Sequence, residues 1–539
     1  MSHEQDHASS LRTPWQLCIT FLAIAFVFSA MVFPNRLDWF DSKTFFYLPI
    51  ELFLLGLALL LTGNAGRLLR GVLALVLAAG IVFRIADMAA FQVFSRPFNP
   101  VFDTYLLADG FHFLQSSFGF VGALLVAVSA GALVGGIVLA SFVVLARLQR
   151  VLHRAPTVSA GLILAGLLLW TSLSVAGMPR ASRYFYDQLA MHVSNTLTSI
   201  ADLSAFREVV NIDAYATVPG DALFGALAGK DVLVVFIESY GRTLVDKPEY
   251  AEHFKPNLSA ATQTLEQAGF LSRSAFLTSP TVGGISWLAH GTALSGLWID
   301  SQVRYDSLMM SERPSLVRLF QRAGWRTVGV MPAITMAWPE GDYFGYDQLY
   351  TVPELGYRGA PYNYVTMPDQ FTLSQFQKFE RAKEPRQPVM AEIALVSSHA
   401  PWTPVATLRD WDVVGDGSVF TEEALSGDAP EVVWQDRDRV LKQFRESTEY
   451  VVNTLVSFAT HFGDENLVML ILGDHQPMPY VTDNTDNRDV LIHLIARDPA
   501  VMQAIEQWQW SEGMLPADAA PVWRMDEVRD RFIAAFSRP

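Results

Sequence analysis

Five long stretches nearly free of charge crowd the first 180 residues, at about 15–33, 45–62, 71–91, 118–146 and 157–178. A bilayer core of about 30 Å takes roughly 20 apolar residues as helix, so residues 1–179 read as a transmembrane domain of five helices. The first run, of about 19 residues, exceeds a signal-peptide core, and no small-residue cleavage site precedes Pro34, so it reads as a retained anchor. Five spans put the two ends of the domain on opposite sides of the membrane. Arg12, Arg67, Arg70, Arg147, Arg150 and Arg154 fall on the N-terminal side, against Arg36, Lys43 and Arg96 in the opposite loops, which favours an N-terminus in the cytoplasm. Arg180 and Arg183 narrow that margin. Glu51, Arg84 and Asp87 lie in or near the spans, either as grips for a lipid headgroup or as a plain pairing of Arg84 with Asp87 or Glu51. Residues 180–229 alternate apolar and polar positions, which suits an amphipathic juxtamembrane connector.

From residue 230 to 539 charge returns and the pattern changes to short apolar, β-branched runs separated by helical stretches. The runs at 232–237, 326–330, 390–396, 467–472 and 490–496 predict strands covered on both faces, and helices are predicted at 284–295, 315–323, 370–381 and 436–461. Such alternation predicts an α/β domain with a mainly parallel sheet covered by helices, whose ligands gather beyond the carboxyl ends of the strands. A net charge of −15 with no concentrated basic patch excludes nucleic acid as a partner. Cys18, the only cysteine, excludes an intramolecular disulfide.

Three fragments place reactive side chains on that rim: IESYG around Glu238, SPTVGGIS around Thr281, and ILGDH ending in Asp474 and His475. His399, in SSHAPW, follows another predicted strand. Two carboxylates, an imidazole and a hydroxyl converging there make a metal-dependent phosphoryl-transfer site.

At these residues the chain resembles the alkaline phosphatase and sulfatase superfamily. Within it the nearest likeness is to the membrane-anchored phosphoglycerol and phosphoethanolamine transferases of the lipoteichoic acid synthase kind. The resemblance implies a sulfatase-like catalytic domain at 230–539, held periplasmic or extracellular by a multi-pass anchor in the bacterial cytoplasmic membrane. It implies Glu238, Asp474 and His475 as metal ligands, with Thr281 as both ligand and nucleophile. Thr281 lies 43 residues after Glu238 and ten before Gly291. The resemblance also implies His399 as a substrate-side histidine and Trp338 as an aromatic of the headgroup pocket, although the arginine expected two positions later is Glu340. It implies a phospholipid donor, phosphatidylglycerol before phosphatidylethanolamine, and a glycan or polymer acceptor.

The chemistry gives independent reasons for these residue types. A hydroxyl attacks phosphorus readily once a divalent cation lowers its pKa, and three oxygens with one nitrogen favour Mn²⁺, with Mg²⁺ or Zn²⁺ also compatible. At a helix N-terminus, free N–H groups stabilise the phosphoryl anion, and Gly283 and Gly284 permit close approach. Thr281 is equally suited to capping the helix. Ser286 and Thr278 are rival nucleophiles, with Ser286 expected beyond the first helical turn. Other readings are a phosphodiesterase or sulfatase-like hydrolase with the same site, a serine hydrolase built on Ser239, and an inactive membrane scaffold. TVGGI lacks the sulfatase nucleophile context, and Ile237 occupies the first glycine position of a nucleophile elbow.

Overall fold

The computed structural model describes residues 14–62, 66–94, 96–100, 103, 106–178, 180–335 and 338–537; Arg12, counted in the orientation argument, lies outside them. The chain divides into two compact units, one holding Arg96–Asp202 and the chain through Phe91, the other Gln92–Ser95 and Leu203–Pro539.

In the first unit the apolar runs become helices α1 (Pro14–Val32), α2 (Ile50–Leu61), α3 (Arg67–Phe94), α4 (Leu106–Leu152) and α5 (Pro156–Val175), followed by α6 (Tyr184–Val209). Among the described residues, four helical segments are long and apolar enough to cross a bilayer: Trp15–Val32, Arg67–Phe94, Gly119–Leu152 and Pro156–Val175. The expected span at 45–62 is different. It is a 3₁₀ turn (Ser42–Phe46), a two-residue strand (Leu48–Pro49) and the 12-residue α2, about 18 Å long. Pro49 explains the break, because it has no N–H to donate and it sits at the N-cap of α2. Leu48 and Pro49 pair instead, in parallel, with Ala181 and Ser182. α4 is interrupted at Gly119, where φ is 71°.

The polar residues of this unit do not pair as expected. Arg84 donates to the carbonyls of Ala30 and Met31 at the end of α1, where helix carbonyls lack partners. Asp87, fully buried, accepts from Asn35 Nδ2 at 3.0 Å and from the Phe98 N–H at 2.9 Å, and faces His192 Nε2 at 3.1 Å. Glu51 accepts from the Tyr186 N–H.

The second unit is built on a nine-stranded sheet: β1 (Asp231–Ile237), β2 (Leu271–Thr278), β3 (Arg326–Val330), β4 (Gln348–Tyr350), β5 (Val389–Leu395), β6 (Leu467–Gly473), β7 (Asp489–Ala496), β8 (Ser511–Glu512) and β9 (Val522–Arg524). The order is β8-β2-β7-β6-β1-β5-β3-β4, with β9 also paired to β2. From β6 to β4 the pairings are parallel, but β7 runs antiparallel to both β6 and β2, so the sheet is mixed rather than mainly parallel. The reason is local. The link from Gly473 to Asp489 carries only the four-residue helix Pro479–Thr482, too short to bring the chain back along the face of the sheet as a parallel return requires.

Every residue of β1 is buried, and its alternation feeds two cores. Leu233, Val235 and Ile237 pack with α7 (Pro248–Gln267) and α9 (Arg437–Phe462); Val232, Val234 and Phe236 pack with α8 (Ser286–Ser295) and the C-terminal helix Val528–Phe536. The register aligns Ile237 with Gly473 on one side and with Leu395 on the other, so Glu238, Asp474 and the SSHAPW loop leave the sheet at one level.

Candidate active site

Glu238 and Asp474 are the first residues past two adjacent parallel strands. The chain turns sharply at Ser239 (φ 58°), whose N–H donates to Asp474 Oδ1 at 2.8 Å, and the His475 N–H donates to the same oxygen at 2.6 Å. His475 Nε2 lies 3.4 Å from Glu238 Oε1 and 3.6 Å from Asp474 Oδ2. One ligand atom from each of the three lies within 4.8 Å of the others, and all three side chains are buried. His475 Nδ1 sits 2.8 Å from the Gln476 carbonyl, which can only accept, so the hydrogen belongs on Nδ1 and the Nε2 lone pair faces the carboxylates.

The electrostatics fit a cation. Burial pushes the Asp474 carboxyl up, and the neighbouring Glu238 carboxylate adds to the rise. Burial acts the same way on Glu238, but His475 and His399 outweigh it and hold this carboxyl below the usual range. Burial disfavours a charged His475, yet Asp474 and Glu238 together raise its pKa. Two carboxylates and one imidazole turned toward one another in a buried pocket form a set that Mn²⁺, Mg²⁺ or Zn²⁺ accepts, the cation taking the place of the protons that burial otherwise favours on Asp474.

The hydroxyl in contact with two of these ligands is that of Ser286. Its Oγ lies 3.1 Å from Glu238 Oε2 and 3.2 Å from His475 Nε2. Ser286 is the first residue of α8, not a residue beyond its first turn, and Thr281 stands five residues ahead of that helix. Backbone geometry delays the helix: Gly283, Gly284 and Ile285 all have positive φ (73°, 148° and 63°), which right-handed helix cannot include. The Thr281 hydroxyl donates to the Gly284 carbonyl at 2.7 Å and so braces the turn that presents Ser286. The turn is strapped to the ligand loop by Ser279 Oγ on the Asp474 carbonyl (2.6 Å) and the Gly283 N–H on the Gln476 carbonyl (2.8 Å). Thr278, at the end of β2, donates to Asp489 Oδ1. Ser239 Oγ donates to Glu238 Oε1 at 2.7 Å. A signal for Ser286 exists in the sequence, since it precedes Gly296 by the same ten residues that separate Thr281 from Gly291.

His399 reaches the same neighbourhood through its loop. Ser398 Oγ donates to the Glu238 backbone carbonyl at 2.6 Å, and the His399 ring stacks on Tyr364 at 4.5 Å. Trp338 stacks on Phe344 and lies near Tyr346. His290, which the sequence reading passes over, is one turn beyond Ser286 on α8, with Nδ1 2.7 Å from Glu392 Oε1.

No family model matches the chain, and no curated protein does. Among solved structures it is similar to the lipoteichoic acid synthase LtaP from Listeria monocytogenes, at 15% identity over 59% of this chain and 74% of that one, with a TM-score of 0.38. It is similar also to the C-terminal periplasmic domain of EcEptC from Escherichia coli in complex with Zn (15% identity, 57% and 83% covered, TM-score 0.39). A third likeness is to the Streptococcus pyogenes phosphoglycerol transferase GacH in complex with sn-glycerol-1-phosphate (10% identity, 62% and 91% covered, TM-score 0.37). At these identities and scores the likenesses carry no argument about what this chain does.

Proposed function

We propose that the chain is a membrane-bound, metal-dependent phosphotransferase. It moves a phospholipid headgroup phosphate, phosphoglycerol before phosphoethanolamine, onto a glycan or polymer hydroxyl through a covalent seryl intermediate. The observation that carries this reading is the Ser286 hydroxyl, set between Glu238 and His475 at the first residue of a helix. On this reading Ser286, not Thr281, attacks. Glu238, Asp474 and His475 hold one divalent cation, Mn²⁺ by preference, which when bound lowers the pKa of a neighbouring hydroxyl and polarises the phosphoryl oxygens.

The protein groups supply the rest. Ser286 Oγ attacks phosphorus, the bond from phosphorus to the lipid oxygen breaks, and the phosphate stays on Ser286 until an acceptor hydroxyl displaces it. The first N–H groups of α8 have no helical partner and face the anionic phosphoryl oxygens. Thr281 fixes the turn, and His399 contacts the substrate from the loop opposite. The proposed boundaries are a transmembrane domain at 1–179, a connector at 180–229 and a catalytic domain at 230–539, the last outside the cytoplasm of a bacterial cell. Tethering next to lipid raises the effective donor concentration.

The test is purified chain incubated with headgroup-labelled phosphatidylglycerol and phosphatidylethanolamine. The expected result is diacylglycerol release with one labelled headgroup phosphate on Ser286. That adduct is lost in Ser286→Ala and retained in Thr281→Ala. An adduct that depends on Thr281 and persists in Ser286→Ala refutes the assignment, and release to water alone makes the chain a phosphodiesterase.

A further inference from the structure

On the helix that begins with Ser286, His290 follows at the i+4 position and so lies on the same face. Its ring is held on two sides. Phe236, two residues before Glu238 on β1, stacks on it with centroids 3.8 Å apart and planes at 16°, and Nδ1 meets Glu392 Oε1 at 2.7 Å. Glu392, on β5, is 1% exposed, and its other oxygen accepts from the Tyr346 hydroxyl. Among the described residues no Arg or Lys pairs with Glu392, and the His290 imidazole faces this buried carboxylate instead. A carboxylate only accepts, which puts a hydrogen on Nδ1 and leaves Nε2 as the nitrogen through which the ring gives up and takes back its second proton. Nε2 has no hydrogen-bond partner among the described residues. A buried acid orienting an imidazole, whose second nitrogen is free one turn from an attacking hydroxyl, is the arrangement that proton transfer requires.

We infer that His290 is a proton-transfer group of this site and that Glu392 is its positioning residue. The inference rests on the phosphotransferase reading above. In the first step Ser286, as its alkoxide, forms the bond to phosphorus, the bond to the lipid oxygen breaks, and Nε2–H of protonated His290 gives its proton to that oxygen. In the second step the acceptor hydroxyl attacks the seryl phosphate, its proton passes to Nε2, and Ser286 leaves as the alkoxide. Protons and charge return to the starting state, with one phosphate ester exchanged for another.

The experiment compares leaving groups on the full chain in detergent. Diacylglycerol leaves phosphatidylglycerol as a strongly basic alkoxide and needs a proton; nitrophenolate leaves bis-para-nitrophenyl phosphate without one. His290→Asn, whose amide nitrogen can take the place of Nδ1 and still donate to Glu392, should slow the first-turnover release of diacylglycerol by about a hundred- to ten-thousand-fold while the nitrophenolate burst changes little. Glu392→Gln should act in the same direction by a smaller factor, and added imidazole should restore diacylglycerol release to His290→Ala. Equal losses on both substrates without rescue, or no loss on the lipid, overturn the inference while leaving the transferase reading intact. A wild-type chain that releases no diacylglycerol overturns that reading itself.

Discussion

Asp369 couples pH to the loop that carries His399. It opens the helix Asp369–Phe376, is fully buried, and its carboxylate accepts the N–H groups of Val396 and Ser397 where β5 runs into SSHAPW. Burial outweighs those hydrogen bonds and pushes the carboxyl from its ordinary 3.8 up to about 7. In the window between those two values the folded chain binds a proton that the unfolded chain does not. The contribution is therefore fully present below about pH 4 and is lost as pH rises through about 7. At 1.36 kcal/mol per pH unit the gap is worth roughly 4 kcal/mol, with no solvent screening to discount it. Asp369→Asn removes the titration and one acceptor oxygen, the latter at about 1 kcal/mol. Urea unfolding of the full chain in detergent, followed from about pH 5 to about pH 8.5, should show wild type losing stability relative to the variant as pH rises. At the alkaline end the variant should be the more stable of the two. Parallel curves across that range would refute the reasoning.

Two further outcomes follow from the site and the spans. Asp474→Ala should lose the bound metal in elemental analysis, as should Glu238→Ala and His475→Ala, and normal metal content in Asp474→Ala sinks the shared site. With a Cys18-free background, single cysteines placed on exposed positions of the region after residue 230 should react with an impermeant maleimide on intact cells. Reaction only after the membrane is opened overturns the extracytoplasmic placement.

The parts of the fold legible in the sequence are those where a single physical signal dominates. Near-continuous apolar runs mark β1, β5, β6 and β7 because strands buried on both faces leave little polar alternation. β2 escapes notice because LSRSAFLT carries Ser272, Arg273 and Ser274, yet Ser272 and Ser274 are buried, with Ser274 Oγ bonded to the Gly513 carbonyl and His493. Strand direction was not legible, since it depends on the absence of a long helix between Gly473 and Asp489 rather than on either strand. The second apolar run misleads because hydropathy does not register the missing N–H of Pro49. At the site, ligand types announce themselves at strand ends. Which hydroxyl meets them is decided by three consecutive positive φ values, and Ile285 gives no compositional hint of its own.

The alignment of Ile237 with Gly473 also sets how this site tolerates change. Adjacent strands are held about 4.8 Å apart by their hydrogen bonds, so the backbone separation of the two carboxylate-bearing residues is a lattice spacing of the sheet and not a product of loop packing. The chain between Ser239 and Asp474, which lie 235 positions apart, can lengthen or shorten at its surface turns without moving either anchor. A single residue inserted within β1 or β6 has the opposite effect. It slips one strand against the other, sends Glu238 or Asp474 to the wrong face, and dismantles the ligand set while most of the molecule remains folded.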